Sequence, residues 1–200
     1  RGSAEHRAIY LQTYRLAGER LEQLVKEAGA ASWGVILDAD ETVVDNSLFQ
    51  VELFRDGATY SEERWNAWVR RREAPALPGA AAFTARVREL GGKVVIVTNR
   101  DQAVCGDTRA NLDAAGITTD LVLCKQPGQS DKNPRFDAVA AGTPPSTLPP
   151  LTVLMWIGDN IQDFPGTTQA IRELPDSAFE RFGRAWIVLP NPMYGSWERR

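Results

Sequence analysis

Acidic side chains whose spacing suits metal-assisted chemistry follow two apolar segments of the chain. Asp38 and Asp40 come directly after the run Trp33–Leu37, and Asp159 comes just after the run 151–157. Residues two apart at the end of a strand can face the same side, about 6.6 Å apart along the chain. Three carboxylates in one crevice repel one another unless a hard cation lies between them, and oxygen ligands of this kind suit Mg²⁺. The sequence therefore predicts a Mg²⁺ site formed by Asp38, Asp40 and Asp159.

The same carboxylates can act on a phosphoryl group that is bound beside the cation. A carboxylate nucleophile forms an aspartyl-phosphate intermediate and splits one difficult displacement into two easier ones, and we assign this role to Asp38. Asp40 is the candidate general acid, and it can then activate the hydrolytic water as a general base. Fixed donors must balance the remaining phosphoryl charge. Thr98 follows the next apolar run, and either Lys132 or Lys125 supplies the positive charge.

Each of these motifs is weak alone. An Asp-x-Asp pair most often consists of two solvent-exposed acids in a loop. The segment Thr98-Asn99-Arg100 is also typical of a helix N-cap, and the acids in 158–163 are typical of a turn with a capping residue. Together, each closing an apolar run, they favour an active site. An EF-hand that begins at Asp38 is excluded, because its sixth and twelfth positions hold Val43 and Phe49 instead of Gly and Glu.

Short apolar runs alternate with helical patterns along the chain. Runs without internal alternation are typical of strands that are buried on both faces of a parallel sheet. The predicted strands are Trp33–Leu37, 93–97, 121–123, 151–157 and 185–189, and the predicted helices are 4–28, 80–90, 109–115 and 136–141. This order predicts an α/β fold with a doubly wound parallel sheet, in which ligands bind at the carboxyl ends of the strands.

Residues 48–78 do not fit the alternation. Aromatic side chains there lie among many charged ones, and the segment closes at two prolines. We interpret it as a mostly helical insertion that forms a cap. A chain of 200 residues is long enough for one α/β domain with a substantial core, so we predict a single domain over 1–200.

Composition limits the classes of function. Hydrophobic residues at 43% and charged residues at 24% are ordinary for a globular domain, and a formal net charge of -3 gives no bulk attraction to nucleic-acid polymers. No apolar run approaches the roughly 20 residues that span a bilayer. Two cysteines and one histidine do not suit a zinc site. Cys105 and Cys124 are either two buried thiols or a disulfide, which would imply an oxidising compartment.

The segment 38–47, Asp-Ala-Asp-Glu-Thr-Val-Val-Asp-Asn-Ser, resembles motif one of the haloacid dehalogenase (HAD) superfamily in the form found in bacterial class C acid phosphatases. The likeness covers almost the whole chain. It includes Ser3-Ala4-Glu5-His6-Arg7-Ala8, Trp65-x-x-Trp68-Val69, Pro78-Gly79, Val97-Thr98-Asn99-Arg100, Lys132-x-x-Arg135-Phe136, Gly158-Asp159-Asn160-x-x-Asp163-Phe164 and Leu189-Pro190-Asn191-x-x-Tyr194-Gly195-x-Trp197-Glu198. The resemblance implies a HAD-like, Rossmann-like sheet with a small helical cap. It also implies an acid phosphatase that hydrolyses small phosphomonoesters, nucleoside 5′-monophosphates among them.

The family assigns roles at the matching positions. By this resemblance Asp38 is the nucleophile and Asp40 the acid/base, and Mg²⁺ is held by Asp38, by the backbone carbonyl of Asp40 and by Asp159. Thr98 and Lys132 bind the phosphoryl group, which settles the choice between the two lysines.

Further positions follow from the same resemblance. Asp163 is not itself a ligand of the metal or of the phosphoryl group, but it orients the residues that are. Asn99 and Arg100 are assigned to substrate binding, and Trp65 and Tyr194 are expected to grip a nucleotide base, since stacking on aromatic rings tolerates several bases. The alternative for Trp65 is core packing within the insertion.

Many class C members are outer-membrane lipoproteins. The resemblance therefore implies a periplasmic or outer-membrane-associated protein of a Gram-negative bacterium, although this sequence lacks a signal segment and a lipid-bearing N-terminus. In such a fold Cys105 and Cys124 would lie at the same end of the sheet, and we hypothesise that they form a disulfide. Two alternative functions remain: phosphoryl transfer to an alcohol by an enzyme of the same superfamily, and a catalytically silent surface binding domain.

Overall fold

Five parallel strands form one sheet in the computed structural model of the chain, which describes residues 2–198. The strands are β1 (Trp33–Leu37), β2 (Lys93–Asp101), β3 (Leu121–Lys125), β4 (Thr152–Gly158) and β5 (Trp186–Val188). Their order is β3-β2-β1-β4-β5, and every neighbouring pair is parallel. The predicted α/β fold with a doubly wound parallel sheet is confirmed.

The strand order reverses beside β1. Strands β2 and β3 lie on one side of β1, and β4 and β5 lie on the other. A crevice for ligands forms outside the carboxyl ends of the strands at such a reversal. Leu37, the last residue of β1, pairs with Ile96 of β2 and with Ile157 of β4. Asp38 and Asp159 therefore leave the sheet at the same edge and at nearly the same level.

The described residues 2–198 contain six α-helices: α1 (Ala4–Ala28), α2 (Ser47–Arg55), α3 (Glu62–Arg71), α4 (Ala80–Glu89), α5 (Cys105–Ala114) and α6 (Asn133–Ala141). Ser3 caps the start of α1, since its side chain accepts a hydrogen bond from the backbone N–H of His6. Gly29, with φ of 54°, caps the end of the helix. Its predicted apolar stripe is buried at Tyr10, Tyr14, Ala17 and Leu21. Neither α1 nor any other helix within residues 2–198 is long and apolar enough to cross a membrane.

The strands divide the core into two layers because successive side chains of a strand point to opposite faces. Val35 and Leu37 of β1 pack in the larger cluster, with side chains from α1 to α5, whereas Ile36 packs in the smaller one. Phe136 and Val139 of α6 cover that second face. Both faces of β1 are therefore apolar, which explains why its sequence shows no alternation.

The region predicted as a helical insertion, 48–78, contains α2 and α3. Phe49 and Trp68 are buried there, whereas Phe54 is 89% exposed, so the aromatic residues of this region do not share one environment. The predicted domain range 1–200 extends to Arg1, Arg199 and Arg200, which lie outside the described residues.

Three element boundaries differ from the prediction by three residues or more. Strand β2 continues past Val97 to Asp101, which pairs with Lys125 after an irregularity in the register with β3. Helix α5 begins at Cys105, four residues earlier than predicted, after a short 3₁₀ turn at Gln102–Val104. Helix α6 begins at Asn133, three residues earlier than predicted, with a proline in its first turn. Proline is tolerated there because the first N–H groups of a helix have no hydrogen-bond partner within the helix.

Cys105 and Cys124 form a disulfide, as hypothesised. Cys105 is the first residue of α5 and Cys124 lies in β3, and both are almost completely buried. The bridge joins the start of a helix to the edge strand of the sheet.

The double substitution Cys105→Ala/Cys124→Ala should lower the free energy of unfolding by about 2–4 kcal/mol, because the bridge restricts the unfolded chain. Urea denaturation with and without dithiothreitol measures the effect. The reductant should destabilise the wild type by a similar amount and leave the double variant unchanged. A double variant as stable as the oxidised wild type would contradict a stabilising role for the disulfide.

Candidate active site

Three carboxylates meet at the carboxyl edge of the sheet. Asp38 follows β1, Asp159 follows β4, and Asp163 ends the 3₁₀ turn Ile161–Asp163. One oxygen from each carboxylate lies within 4.8 Å of the others. Asp38 and Asp163 are buried and Asp159 is half-buried. The two predicted ligands Asp38 and Asp159 therefore lie close enough to share one ion.

Lys132 lies between two of these carboxylates. Its Nζ is 2.5 Å from Oδ1 of Asp38 and 2.6 Å from Oδ1 of Asp163, and its side chain is 5% exposed. Lys125, the other candidate, lies elsewhere and forms ion pairs with Asp101 at 2.8 Å and with Glu62 at 3.2 Å. The structure therefore brings Lys132, and not Lys125, to the carboxylate cluster.

The electrostatics of the cluster follow from burial. Burial raises the pKa of Asp38 to about 7, with the charges of Asp163 and Asp40 adding to the effect and Lys132 opposing it. The pKa of Asp159 is well above its usual range, because of burial and of the charges of Asp163 and Asp38. For Lys132, burial lowers the pKa, but Asp163 and Asp38 outweigh burial and raise it. One lysine thus balances only part of the negative charge of the three carboxylates.

A divalent cation fits this arrangement. All the donors in the cluster are carboxylate oxygens, which suit a hard cation. A cation there would offset the burial and the mutual repulsion that together raise the pKa values of Asp38 and Asp159. Asp163 already has both oxygens in use, because Oδ1 contacts Lys132 and Oδ2 accepts from the backbone N–H of Asn160 at 2.9 Å. The two oxygens of Asp163 thus hold Lys132 and the turn that Asp163 ends.

The carboxylate of Asp40 has a different environment. Its Oδ1 accepts from Arg100, with Nη2 at 2.7 Å and Nε at 2.9 Å, and from Nδ2 of Asn46 at 2.9 Å. The Arg100 guanidinium is 1% exposed and lies over the ring of Trp65, with its carbon 5.6 Å from the ring centroid. The structure thus separates the side chain of Asp40 from the carboxylate cluster, and it pairs Arg100, a predicted substrate-binding residue, with Asp40.

Thr98 and Asn99 lie at the carboxyl end of β2. Thr98 is fully buried, and its Oγ1 accepts from the backbone N–H of Arg100 at 3.1 Å, which leaves the hydroxyl hydrogen free to donate. Asn99 is exposed, and its amide donates to the carbonyl of Ser130 at 2.9 Å. This contact ties the end of β2 to the loop that precedes Lys132.

The two aromatic residues predicted to grip a base are both half-buried. Trp65 lies on α3 in an edge-to-face contact with Phe49, with the ring centroids 5.2 Å apart. The Tyr194 hydroxyl is a buried atom without a hydrogen-bond partner in the part of the chain that the structure describes.

Sequence reasoning gave no role to four polar residues that hold the site together. Arg135 donates to the Thr98 carbonyl and to Oδ1 of Asn99, both at 2.6 Å. Its position three residues after Lys132, on the same helical turn, is a signal that could have identified it. Thr42 and Asn191 both contact Asp159, which is far from them in sequence, so no local pattern predicts these contacts. The same holds for the contact in which Asn46 Oδ1 accepts from the indole of Trp68 at 2.8 Å.

Comparisons with known proteins agree with this geometry. A family model for the HAD superfamily, subfamily IIIB (acid phosphatase), matches residues 3–197. The chain is similar to the class C acid phosphatase from Bacillus anthracis, with 29% identity and a TM-score of 0.83 over 98% of this chain and 82% of that one. The crystal structure of that enzyme with tungstate bound gives 28% identity and a TM-score of 0.85 over 99% and 83% of the two chains. A chain of the Pnkp1/Rnl/Hen1 RNA repair complex, at 14% identity and a TM-score of 0.50 over 82% and 44%, shares the fold alone.

Removing the charge of Lys132 should destabilise the metal-free protein. The substitution Lys132→Met leaves Asp38 and Asp163 buried without their cation, and breaking such a pair costs about 3–5 kcal/mol of unfolding free energy. Urea denaturation in EDTA measures the loss, and Mg²⁺ should offset part of it.

The matched control is Lys125→Met, which removes a lysine from a partly exposed ion-pair network and should cost about 1 kcal/mol or less. Equal losses from the two substitutions would show that Lys132 has no special role in balancing the carboxylate cluster.

Proposed function

The chain belongs to the class C acid phosphatases of HAD subfamily IIIB, and we propose that it hydrolyses phosphomonoesters with Asp38 as the nucleophile and with Mg²⁺ as cofactor. The observation that carries the proposal is the position of Asp38, at the end of β1, against Lys132 and beside two further carboxylates. Tungstate, an oxyanion with the shape of phosphate, binds to the Bacillus anthracis enzyme.

In the first step an oxygen of Asp38 attacks phosphorus. The new bond joins Asp38 to the phosphoryl group, the ester P–O bond breaks, and the leaving oxygen takes a proton from Asp40. In the second step Asp40 accepts a proton from water, the water oxygen attacks phosphorus, and inorganic phosphate leaves as the Asp38 carboxylate is restored. Asp40 ends the cycle protonated again.

The contacts of Asp40 support this role. Two nitrogens of Arg100 and one of Asn46 donate to Oδ1 of Asp40. The other oxygen, Oδ2, is therefore available to carry the transferred proton. Because Arg100 is buried and fixed, the carboxylate keeps one orientation through both steps. We propose that Arg100 aids the reaction chiefly through Asp40.

Mg²⁺ would be held by the carboxylates of Asp38 and Asp159 and by the backbone carbonyl of Asp40, where it would neutralise charge on the phosphoryl oxygens. Lys132 and Thr98 complete the binding of that group. An ammonium has three N–H donors, and Lys132 uses two on Asp38 and Asp163, so one remains for a phosphoryl oxygen. Asp163 orients Lys132 by accepting the second bond.

The residues 48–78 supply a cap over the leaving group. Helix α3, which carries Trp65, is tied to the carboxyl end of the sheet, since Asn66 donates to Asp101 at 2.9 Å and Glu62 pairs with Lys125 at 3.2 Å. We propose that Trp65 and Tyr194, with the exposed Asn99 near the end of β2, bind the leaving group and that nucleoside 5′-monophosphates are among the substrates. Stacking on an aromatic ring suits several bases.

The disulfide bears on location. Cysteine bridges persist in oxidising compartments and are rare in the cytosol. We propose that the protein works in the periplasm or at the outer membrane of a Gram-negative bacterium.

A panel of phosphomonoesters, nucleotides included, tests the proposal when it is run with Mg²⁺ and with EDTA. We expect turnover that EDTA abolishes and Mg²⁺ restores, and we expect Asp38→Asn to lose nearly all activity while keeping its circular dichroism spectrum. Substantial activity in Asp38→Asn would overturn the nucleophile assignment. Including glycerol and measuring released against transferred phosphate distinguishes hydrolysis from phosphoryl transfer, and no turnover on any ester would favour a silent binding domain.

Substrate selectivity tests the role of Trp65. The substitution Trp65→Ala should lower kcat/KM for a nucleoside 5′-monophosphate about tenfold more than kcat/KM for a small alkyl phosphate, because one base–ring stack contributes about 1–3 kcal/mol. Trp65→Phe, which keeps an aromatic face, is the control and should retain most of the selectivity. An unchanged ratio in Trp65→Ala would mean that Trp65 only packs against Phe49.

A further inference from the structure

Two loop segments hold the two oxygens of Asp159. Thr42, just after the Asp38–Asp40 segment, places its Oγ1 3.5 Å from Oδ1 of Asp159. Asn191, just after β5, donates from Nδ2 to Oδ2 at 2.8 Å. The direction in which the carboxylate of Asp159 points therefore depends on how these two segments are held.

Two tyrosines of α1 fix both segments. The Tyr14 hydroxyl donates to the backbone carbonyl of Thr42 at 2.7 Å. The Tyr10 hydroxyl lies 2.8 Å from the carbonyl of Pro190 and 3.2 Å from that of Glu41, and its one hydrogen is shared between them. Tyr10 thus joins the segment that carries Thr42 to the segment that carries Asn191.

Both phenols are built into the core and are not surface groups. Tyr10 is 2% exposed and Tyr14 is 3% exposed, and residues four apart lie on the same face of a helix. The contacts with the carbonyls of Glu41 and Thr42 are buried, where no water replaces a lost donor, and the contact with Pro190 is partly buried.

The backbone at this point needs a constraint. Glu41 has φ of 52°, in the left-handed region that residues other than glycine rarely adopt. Its backbone N–H donates to the carbonyl of Val44 at 2.9 Å, and its side chain accepts from the backbone N–H of Asn46 at 2.7 Å. Tyr10 and Tyr14 hold the carbonyls of the strained residue and of the next one.

We propose that Tyr10 and Tyr14 are positioning residues for the metal site: through Thr42 and Asn191 they set the orientation of Asp159. The inference rests on the proposed function, since it requires that Asp159 binds a cation. It makes α1, which lies on a face of the sheet and contributes no group to the carboxylate cluster, a determinant of metal affinity.

The test measures Mg²⁺ affinity directly, by isothermal titration calorimetry without substrate. The variants are Tyr10→Phe, Tyr14→Phe and their combination, each of which removes only a hydroxyl. The control is Ala17→Gly, which weakens α1 at a fully buried position one turn after Tyr14 and leaves both hydroxyls in place. The Kd for Mg²⁺ should rise about tenfold in the combined variant, as is found when groups behind metal ligands are removed, and should stay within about twofold of the wild type in the control.

Tyr14→Phe should also add little to Thr42→Val, because both changes act on the same oxygen of Asp159. At saturating Mg²⁺ the KM for substrate should be unchanged. An unchanged Kd in the combined variant, or an equal rise in Ala17→Gly, would overturn the positioning role while leaving the proposed function intact. Absence of Mg²⁺ binding by the wild type would overturn both.

Discussion

The buried contact of Lys132 with Asp38 and Asp163 is the interaction on which the site depends. Two buried carboxylates and a half-buried one share a single lysine, so the cluster carries more negative charge than the lysine balances. Burial makes that imbalance costly, and it raises the pKa values of Asp38 and Asp159. In the proposed function a hard cation would supply positive charge between the carboxylates, and a phosphoryl group would accept from the remaining donor of Lys132.

The rest of the fold serves to hold this cluster in place. The reversal of strand order beside β1 brings the ends of β1 and β4 to one edge of the sheet. Lys132 lies at the N-cap of α6, and Arg135, in the first turn of that helix, fixes the end of β2. Arg100 and Asn46 hold the side chain of Asp40, so the group that we propose for proton transfer has partners that the carboxylate cluster does not share.

The sequence was informative where local chemistry decides structure. The bounds of β1 were predicted correctly because a short apolar run that ends in acidic residues has few alternatives. From periodicity the start of α5 was predicted four residues too far along the chain. A 3₁₀ turn precedes the helix and a disulfide anchors its first residue, Cys105, and neither leaves a periodic signal in the sequence. From residue chemistry alone Lys125 and Lys132 were equivalent, and the pairing of Arg100 with Asp40, sixty residues away, follows only from the packing of β2 beside β1.

The most direct test of the central claim is to locate the phosphoryl group on the enzyme during turnover. The wild type is mixed with a phosphomonoester, quenched in acid within milliseconds and treated with borohydride, which reduces an acyl phosphate to an alcohol; peptide mass mapping then locates the modified residue. We expect modification at Asp38, dependent on substrate and on Mg²⁺. Modification of a different side chain, with Asp38 intact, would contradict it.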